Sequence, residues 1–231
     1  MIMQLQRCVE YLDTLPVTVL SYDNIEADDT IGYLTKQVLP DSNIIIMSTD
    51  KDFLQLVNDN VKVWSPTRKK LYDKQSVLEE YCVTANNFIM AKIFEGDKSD
   101  NINGVKGVAT KTLVKNMPTL ANEDNTYTLD EVYKYALQHK DEGGTFFVKV
   151  LQNKELLERN YRLMQLSDVD ISGSTKTKLL DIVRQPINRL IKFKFESQFM
   201  EDRLFQNLPN ISSWLSQTFT TLDKYAQVTN G

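Results

Sequence analysis

The spacing of apolar residues changes character near residue 75. Upstream, three short runs rich in β-branched residues, VTVLSYD (17–23), NIIIMST (43–49) and VKVWS (61–65), read as buried strands. Ala27, Ile31, Leu34 and Val38 recur at helical spacing and predict a helix over 26–39, stopped by Pro40 and Asp41. Residues 52–57 predict a short helix, and TRKKLYD (67–73) a turn into a short pairing strand. Residues 3–15 predict an amphipathic helix with Leu5, Cys8, Val9 and Leu12 on one side. Strands alternating with helices imply a parallel α/β sheet.

Downstream the period is helical: KQSVLEEYC (74–82), ANNFIMAKIF (85–94), ATKTLVKNM (109–117) and TLDEVYKYALQHK (128–140), the last opened by a Thr128/Glu131 capping box. Residues 145–166 predict one longer amphipathic helix, and the final sixty residues helices with loops and a fraying tail at 221–231. The expected organisation is an α/β portion over 1–74 and a helical region over 75–231, with a hairpin motif at about 94–117.

At 231 residues, 42% hydrophobic and 25% charged, the composition is that of an ordinary globular protein. No apolar run approaches a membrane span, and MIMQLQRCVEYLDTLP lacks the pattern of a signal peptide. Cys8 and Cys82 fit no metal or redox spacing and suggest a reducing, cytoplasmic setting. His139 is the single histidine and is expected exposed on a helix, which disfavours histidine mechanisms and zinc. A net charge of −4 argues against nucleic acid unless the acids are concentrated in one place.

They are. Glu26, Asp28 and Asp29 follow the first predicted strand, Asp50 and Asp52 the second, and Asp97 and Asp100 sit on or before a helix start. Each cluster alone has a plain explanation as helix-end capping or a turn. Together, at the carboxyl edge of a parallel sheet, they would repel without a cation among them. With no His or Cys nearby the ligand set is all oxygen, which suits Mg²⁺ or Mn²⁺. A pair of such ions serves phosphodiester hydrolysis, one activating water and the other stabilising the leaving oxygen. Setting those seven acids apart from the 31 leaves 24 against 27 Lys and Arg, so the remainder is mildly basic. A calcium-binding structural domain fits less well, because no DxDxDG loop occurs.

Beside the third cluster, NGVKGVATKT (103–112) reads as a helix-hairpin-helix turn, though it is equally compatible with an ordinary turn. Gly104 and Gly107 would let backbone approach a phosphate, with the following helix presenting N–H groups. Lys106, Lys111 and Lys115 would add charge and Thr110 a hydroxyl. Such a unit holds duplex DNA without reading sequence.

EADD, STDKD and GDKSDNINGVKGVATKT, in this order, resemble the structure-specific 5′ nucleases, the flap endonuclease family. VKVWSPTRKK and RNYRLMQLSDVDI are most similar to its bacteriophage branch, the ribonuclease H-type 5′→3′ exonucleases. The likeness covers nearly the whole chain and is weakest after about residue 185. It implies a partial PIN-like parallel sheet followed by a helix-hairpin-helix region. It also implies a catalytic set of Glu26, Asp28 and Asp50. Asp28 and Asp50, with Glu26 more indirectly, would serve a first Mg²⁺, and Asp52, Asp97 and Asp100, with Asp29, a second. Residues 103–110 (Asn103, Gly104, Val105, Lys106, Gly107 and Thr110 among them) would grip DNA with Lys111 and Lys115, and hairpin carbonyls would hold K⁺. Lys69 and Lys70 fit a DNA contact or an exposed turn.

The implied substrates are branched or nicked duplex DNA and RNA–DNA hybrid. The implied setting is the host cytoplasm, alongside single-strand-binding or clamp proteins. Relatives begin with strands bearing a central aspartate and a basic helical arch, and nothing before Val17 resembles these. The expectation is that a separate N-terminal polypeptide supplies them, or that the chain is a DNA-binding remnant. Without them the first two strands would pair directly or leave a hydrophobic edge exposed.

Overall fold

A computed structural model describes residues 2–142 and 144–229, with side chains as far as Ala226. The elements run α1 (Ile2–Leu12), α2 (Ala27–Tyr33), β1 (Ile44–Met47), β2 (Val61–Ser65), β3 (Lys70–Tyr72), α3 (Lys74–Tyr81) and α4 (Phe88–Glu95). Next come two-residue strands β4 (Gly96–Asp97) and β5 (Ile102–Asn103), then α5 (Thr110–Asn116), α6 (Leu129–Gln138), α7 (Thr145–Gln152) and α8 (Lys154–Met164). The chain continues through α9 (Gly173–Val183), α10 (Lys192–Glu201) and α11 (Ile211–Thr229). These divide into two compact units, 25–170 and 1–24 with 171–231. The change of pattern at 74/75 therefore falls inside one unit, which holds both the sheet and helices α3 to α8.

In the 25–170 unit, β1 and β2 are parallel, from Ile44 opposite Val61 to Met47 opposite Trp64. β3 returns antiparallel, Val63 opposite Tyr72. Alternation sends Ile46, Val61, Val63 and Tyr72 into the core, while Ile45 and Met47 are 66% and 73% exposed. β2 is the hydrogen-bonded neighbour of β1 in the sheet, whose other edge has none among the described residues. The exposed hydrophobic edge, one of the two outcomes expected from sequence, is therefore found at β1. Below the sheet, Leu54, Leu56, Ile93, Phe94, Leu113 and Leu157 are fully or almost fully buried.

Local chemistry explains where elements stop. An Asp73/Ser76 capping box opens α3, and the expected Thr128/Glu131 box opens α6. The helix expected over 145–166 is broken at Asn153, whose N–H and Nδ2 both bond the Lys149 carbonyl, at 3.1 and 2.8 Å. α2 passes into a π-helical turn over Leu34–Val38 that the apolar spacing did not signal. His139 lies at the C-cap of α6, half-buried, with its ring stacked 4.1 Å from that of Tyr135 rather than exposed on the helix.

The other unit packs Leu15, Phe195, Phe199 and Leu215 against Tyr11, Val17, Trp214 and Phe219. Residues 17–23 form no strand, contrary to the reading of VTVLSYD. Val17 N–H turns back to the Leu15 carbonyl at 2.8 Å, and Ile191 N–H takes the Thr14 carbonyl at 2.8 Å, so the segment is drawn into this helical core. α1 forms where its pattern predicts, yet Leu5 and Val9 stay exposed. α11 continues helical to Thr229 instead of fraying at 221, and 230–231 lie outside the described residues. Both cysteines are free and exposed. Among the described residues no helix is long and apolar enough to cross a membrane.

Candidate active site and hairpin

Four elements of the 25–170 unit bring carboxylates together. Asp28 stands in the first turn of α2, and Asp50 in the loop after β1. Asp52 opens a 3-10 turn (Asp52–Leu56), and Asp97 lies in β4. The STDKD segment is held in shape by its own polar groups. Asp50 N–H bonds Ser48 Oγ at 3.0 Å, and Asp52 N–H bonds Asp50 Oδ1 at 2.8 Å. Burial, then the charges of Asp50, Asp52, Glu26 and Asp29, push the Asp28 carboxyl above the ordinary range. The Asp52 carboxyl is likewise pushed up, first by burial and further by Asp50 and Asp97, although Lys92 opposes this.

Lys92, absent from the sequence reading, is the cation among these acids. From α4 its ammonium meets Asp52 Oδ1 at 2.6 Å and Asp97 Oδ2 at 2.7 Å. The three side chains are only 13%, 16% and 19% exposed. Asp97 is held well below the usual carboxylate range, first by Lys92 and then by Ser99, whose Oγ and N–H both donate to Oδ1. Burial alone would lower Lys92, but its two carboxylates outweigh that and raise it. A signal was present: Lys92 is the one charge inside the apolar run FIMAKIF.

The remaining acids make no hydrogen bond or ion pair with the Asp52–Lys92–Asp97 cluster among the described residues. Glu26 is exposed at the N-cap of α2 and caps nothing with its side chain. Asp29 is pushed up by burial and then by the charges of Glu26 and Asp170. Asp100 is exposed in the turn after β4. Among the described residues no three Asp, Glu, His or Cys side chains close into a ready-made metal site, so the seven acids are not one preassembled set. The donor chemistry of Asp28, Asp50, Asp52 and Asp97 nevertheless suits a hard divalent ion, and the Lys92 ammonium marks where positive charge is already needed.

A groove of about 480 Å³ leads away from the acids, lined by Asp50, Lys51, Tyr81, Lys92 and Asp97 and reaching Thr110 at the hairpin. The hairpin is a tight backbone assembly. β4 and β5 pair Gly96 with Asn103 and Asp97 with Ile102, and Val105 N–H returns to the Phe94 carbonyl at 2.8 Å. A Cβ on Gly104 would lie 2.3 Å from the Glu95 carbonyl, so contact within the chain already requires this glycine. Gly107 takes a positive φ of 77°, and Lys149 Nζ reaches the neighbouring Lys106 carbonyl at 3.2 Å.

Of the expected gripping residues, Lys106, Lys111 and Lys115 are exposed. Val105 is buried and offers no side chain, and the Thr110 hydroxyl donates to Glu95 at 2.9 Å. Asn160, within the quoted RNYRLMQL, was given no role from sequence. Fully buried, its Nδ2 bonds the carbonyls of Ile93 at 2.9 Å and Asn103 at 2.8 Å, fastening both ends of the loop that carries Asp97 and Asp100.

Residues 1–82 match the family described as 5′-3′ exonuclease, N-terminal resolvase-like domain. The chain is 29% identical over 186 residues to a 5′-3′ exonuclease of Buchnera aphidicola, covering 79% of this chain and 63% of that protein. It is 30% identical over 183 residues to a 5′-3′ exonuclease of Aquifex aeolicus, covering 78% of this chain and 58% of the relative. The fold is similar to that of a bacteriophage T5 flap endonuclease, solved as a pseudo-enzyme-product complex with DNA and metal ions. There the TM-score is 0.58 at 25% identity, over 72% of this chain and 62% of the other. The chain thus spans about three-fifths of the length of these proteins.

Proposed function

From a chain related to the 5′-3′ exonucleases in sequence and in fold, we propose a divalent-metal-dependent hydrolase that cuts phosphodiesters at the 5′ ends of branched or nicked duplex DNA and RNA–DNA hybrid. The observation that carries this is the groove running from Asp50, Lys92 and Asp97 to Thr110, a single path past the acids to the hairpin. Asp28, Asp50, Asp52 and Asp97 would hold the ions, two Mg²⁺ with Mn²⁺ as a substitute, and Glu26, Asp29 and Asp100 would stand at the margin. Bound there, the ions supply charge for the phosphate and lower the pKa of a water. The chain's own groups orient the ligands: Ser99 fixes Asp97, and the turn through Ser48 fixes Asp50. Lys51 lines the groove where a phosphate would pass, while Lys106, Lys111 and Lys115 hold the duplex backbone.

The biological reading is removal of RNA primers and short 5′ flaps in phage DNA replication, leaving 5′-phosphorylated products. It extends to K⁺ at the hairpin carbonyls and a single-strand-binding or clamp partner in the host cytoplasm. A second reading, a DNA-binding remnant or one part of a split nuclease, is favoured by the bare edge of β1 and the unclosed ligand set. Cleavage of a 5′-labelled flap and an RNA–DNA hybrid, in Mg²⁺ and then Mn²⁺, against an Asp50→Asn control separates them. Cutting absent from the control supports the nuclease. Binding to branched DNA without cutting supports the second reading.

A further inference from the structure

Asp52 and Asp97 reach each other from different elements, a turn after β1 and the strand β4. Two carboxylates this close and this dry repel unless a cation stands between them. Lys92 is that cation, and its ammonium occupies the space a shared divalent ion would need, 2.6 and 2.7 Å from the two oxygens. Asp52 Oδ1 is buried, and its contact among the described residues is this ammonium.

Resting on the metal-dependent reading above, we propose that Lys92 is a displaceable latch. In the metal-free protein it holds Asp52 and Asp97 together, and a divalent ion that takes this pair must expel its ammonium into the groove.

Three features make the exchange physically reasonable. Ser99 grips Asp97 on Oδ1, the oxygen Lys92 does not use, so the carboxylate keeps its place when Lys92 leaves. Asp52 keeps its backbone bond to Asp50. Lys92 itself lines the 480 Å³ groove, so its freed end has open space within reach of its stem. There it would add to Lys51 at the position where a strand phosphate passes. Metal loading and substrate binding would then be linked through one side chain, because the ion releases a cation for the phosphate.

The test needs neither DNA nor turnover. Binding of Ca²⁺ and Mn²⁺ to the full chain is measured by titration calorimetry for the native protein, Lys92→Met and Lys92→Arg. The methionine variant, with no competing charge, should bind the ions about tenfold or more tightly, and the arginine variant no more tightly than the native chain. Equal affinity in the native and methionine proteins overturns the latch.

Should Lys92→Met fail to fold, the native chain still decides. Acetylation of Lys92 by acetic anhydride, read by mass spectrometry, should be slow in chelator and several-fold faster with saturating Mn²⁺, while Lys74, outside the groove at the start of α3, reacts equally in both. Unchanged or slower modification of Lys92 with metal overturns the proposal. These outcomes hold whether or not the chain cuts DNA, so loss of the nuclease reading and loss of the latch are distinguishable.

Discussion

Arg7 and Lys92 each sit among carboxylates, and they do different work. Arg7 on α1 donates to Glu10, Glu201 and Asp202, at 2.9, 2.9 and 2.8 Å, with partners 42%, 67% and 32% exposed. Lys92 meets two carboxylates at similar distances with every partner under 20% exposed. Arg7 clasps α1 to α10 where water screens the charges, and its planar fork suits several partners at once. Lys92 stands where each charge must be balanced locally, so any change of charge there changes what the site can hold. Geometry is nearly matched in the two places; exposure assigns one to architecture and the other to chemistry.

The comparison can be broken most sharply at the dry cluster. Asp97→Asn or Asp50→Asn should lower metal-dependent flap cleavage by ~100-fold or more with duplex affinity nearly unchanged. Parallel loss of both in a gel-shift assay would reassign these residues to DNA binding. Asn160→Leu should cost about 1–3 kcal/mol in urea unfolding, because the buried Ile93 carbonyl and the partly buried Asn103 carbonyl lose their donor. An unchanged midpoint would mean the loop is held by other contacts. Lys106→Glu with Lys111→Glu should weaken duplex binding about tenfold and reduce the slope of log affinity against log salt by about 2. Unaltered affinity would remove the hairpin from the interface.

The exposed side should respond least. Arg7→Gln is expected to shift the unfolding midpoint little, with the difference shrinking in high salt and cleavage unaffected. Within the 25–170 unit, Glu80 offers a partly exposed control. Burial alone would raise it, but Lys70, Tyr72, Tyr81 and Arg68 prevail and hold its carboxyl at about 2. Since that lies below the unfolded value of 4.5, its contribution is present above pH 4.5 and fades as the pH falls toward 2. The pH dependence of unfolding should therefore flatten in Glu80→Gln over that window, and an identical profile would show the cluster to be inert.

Much of this was legible in the residues. Strands β1 and β2 follow from their β-branched apolar runs, β3 from the turn before it, and the N-cap of α6 from Thr128 with Glu131, because these are local preferences. The strand expected at 17–23 failed because β-branched runs fit any apolar setting, and Val17 found a helical core instead. The acids were found because they cluster by motif. Their unequal exposure was not, since the partial burial of Asp52 and Asp97 and the exposure of Asp100 depend on how loops fold back. Lys92 and Asn160 were missed because each acts across long sequence separation, on Asp52 and on Asn103. Gly104 was identified from its motif, but the close approach of the Glu95 carbonyl that requires it was not.

The Asn160 bonds have a consequence for how the hairpin exchanges its amide protons. The base of the β4–β5 pair is fastened through Asn103, and Val105 N–H is buried against Phe94, whereas residues 98–101 at the tip are exposed. Val105 should exchange only when the surrounding unit opens as a whole, and the tip should exchange within seconds. A deuterium experiment with and without divalent ion would then localise loading to the tip, against a base that serves as its internal clock.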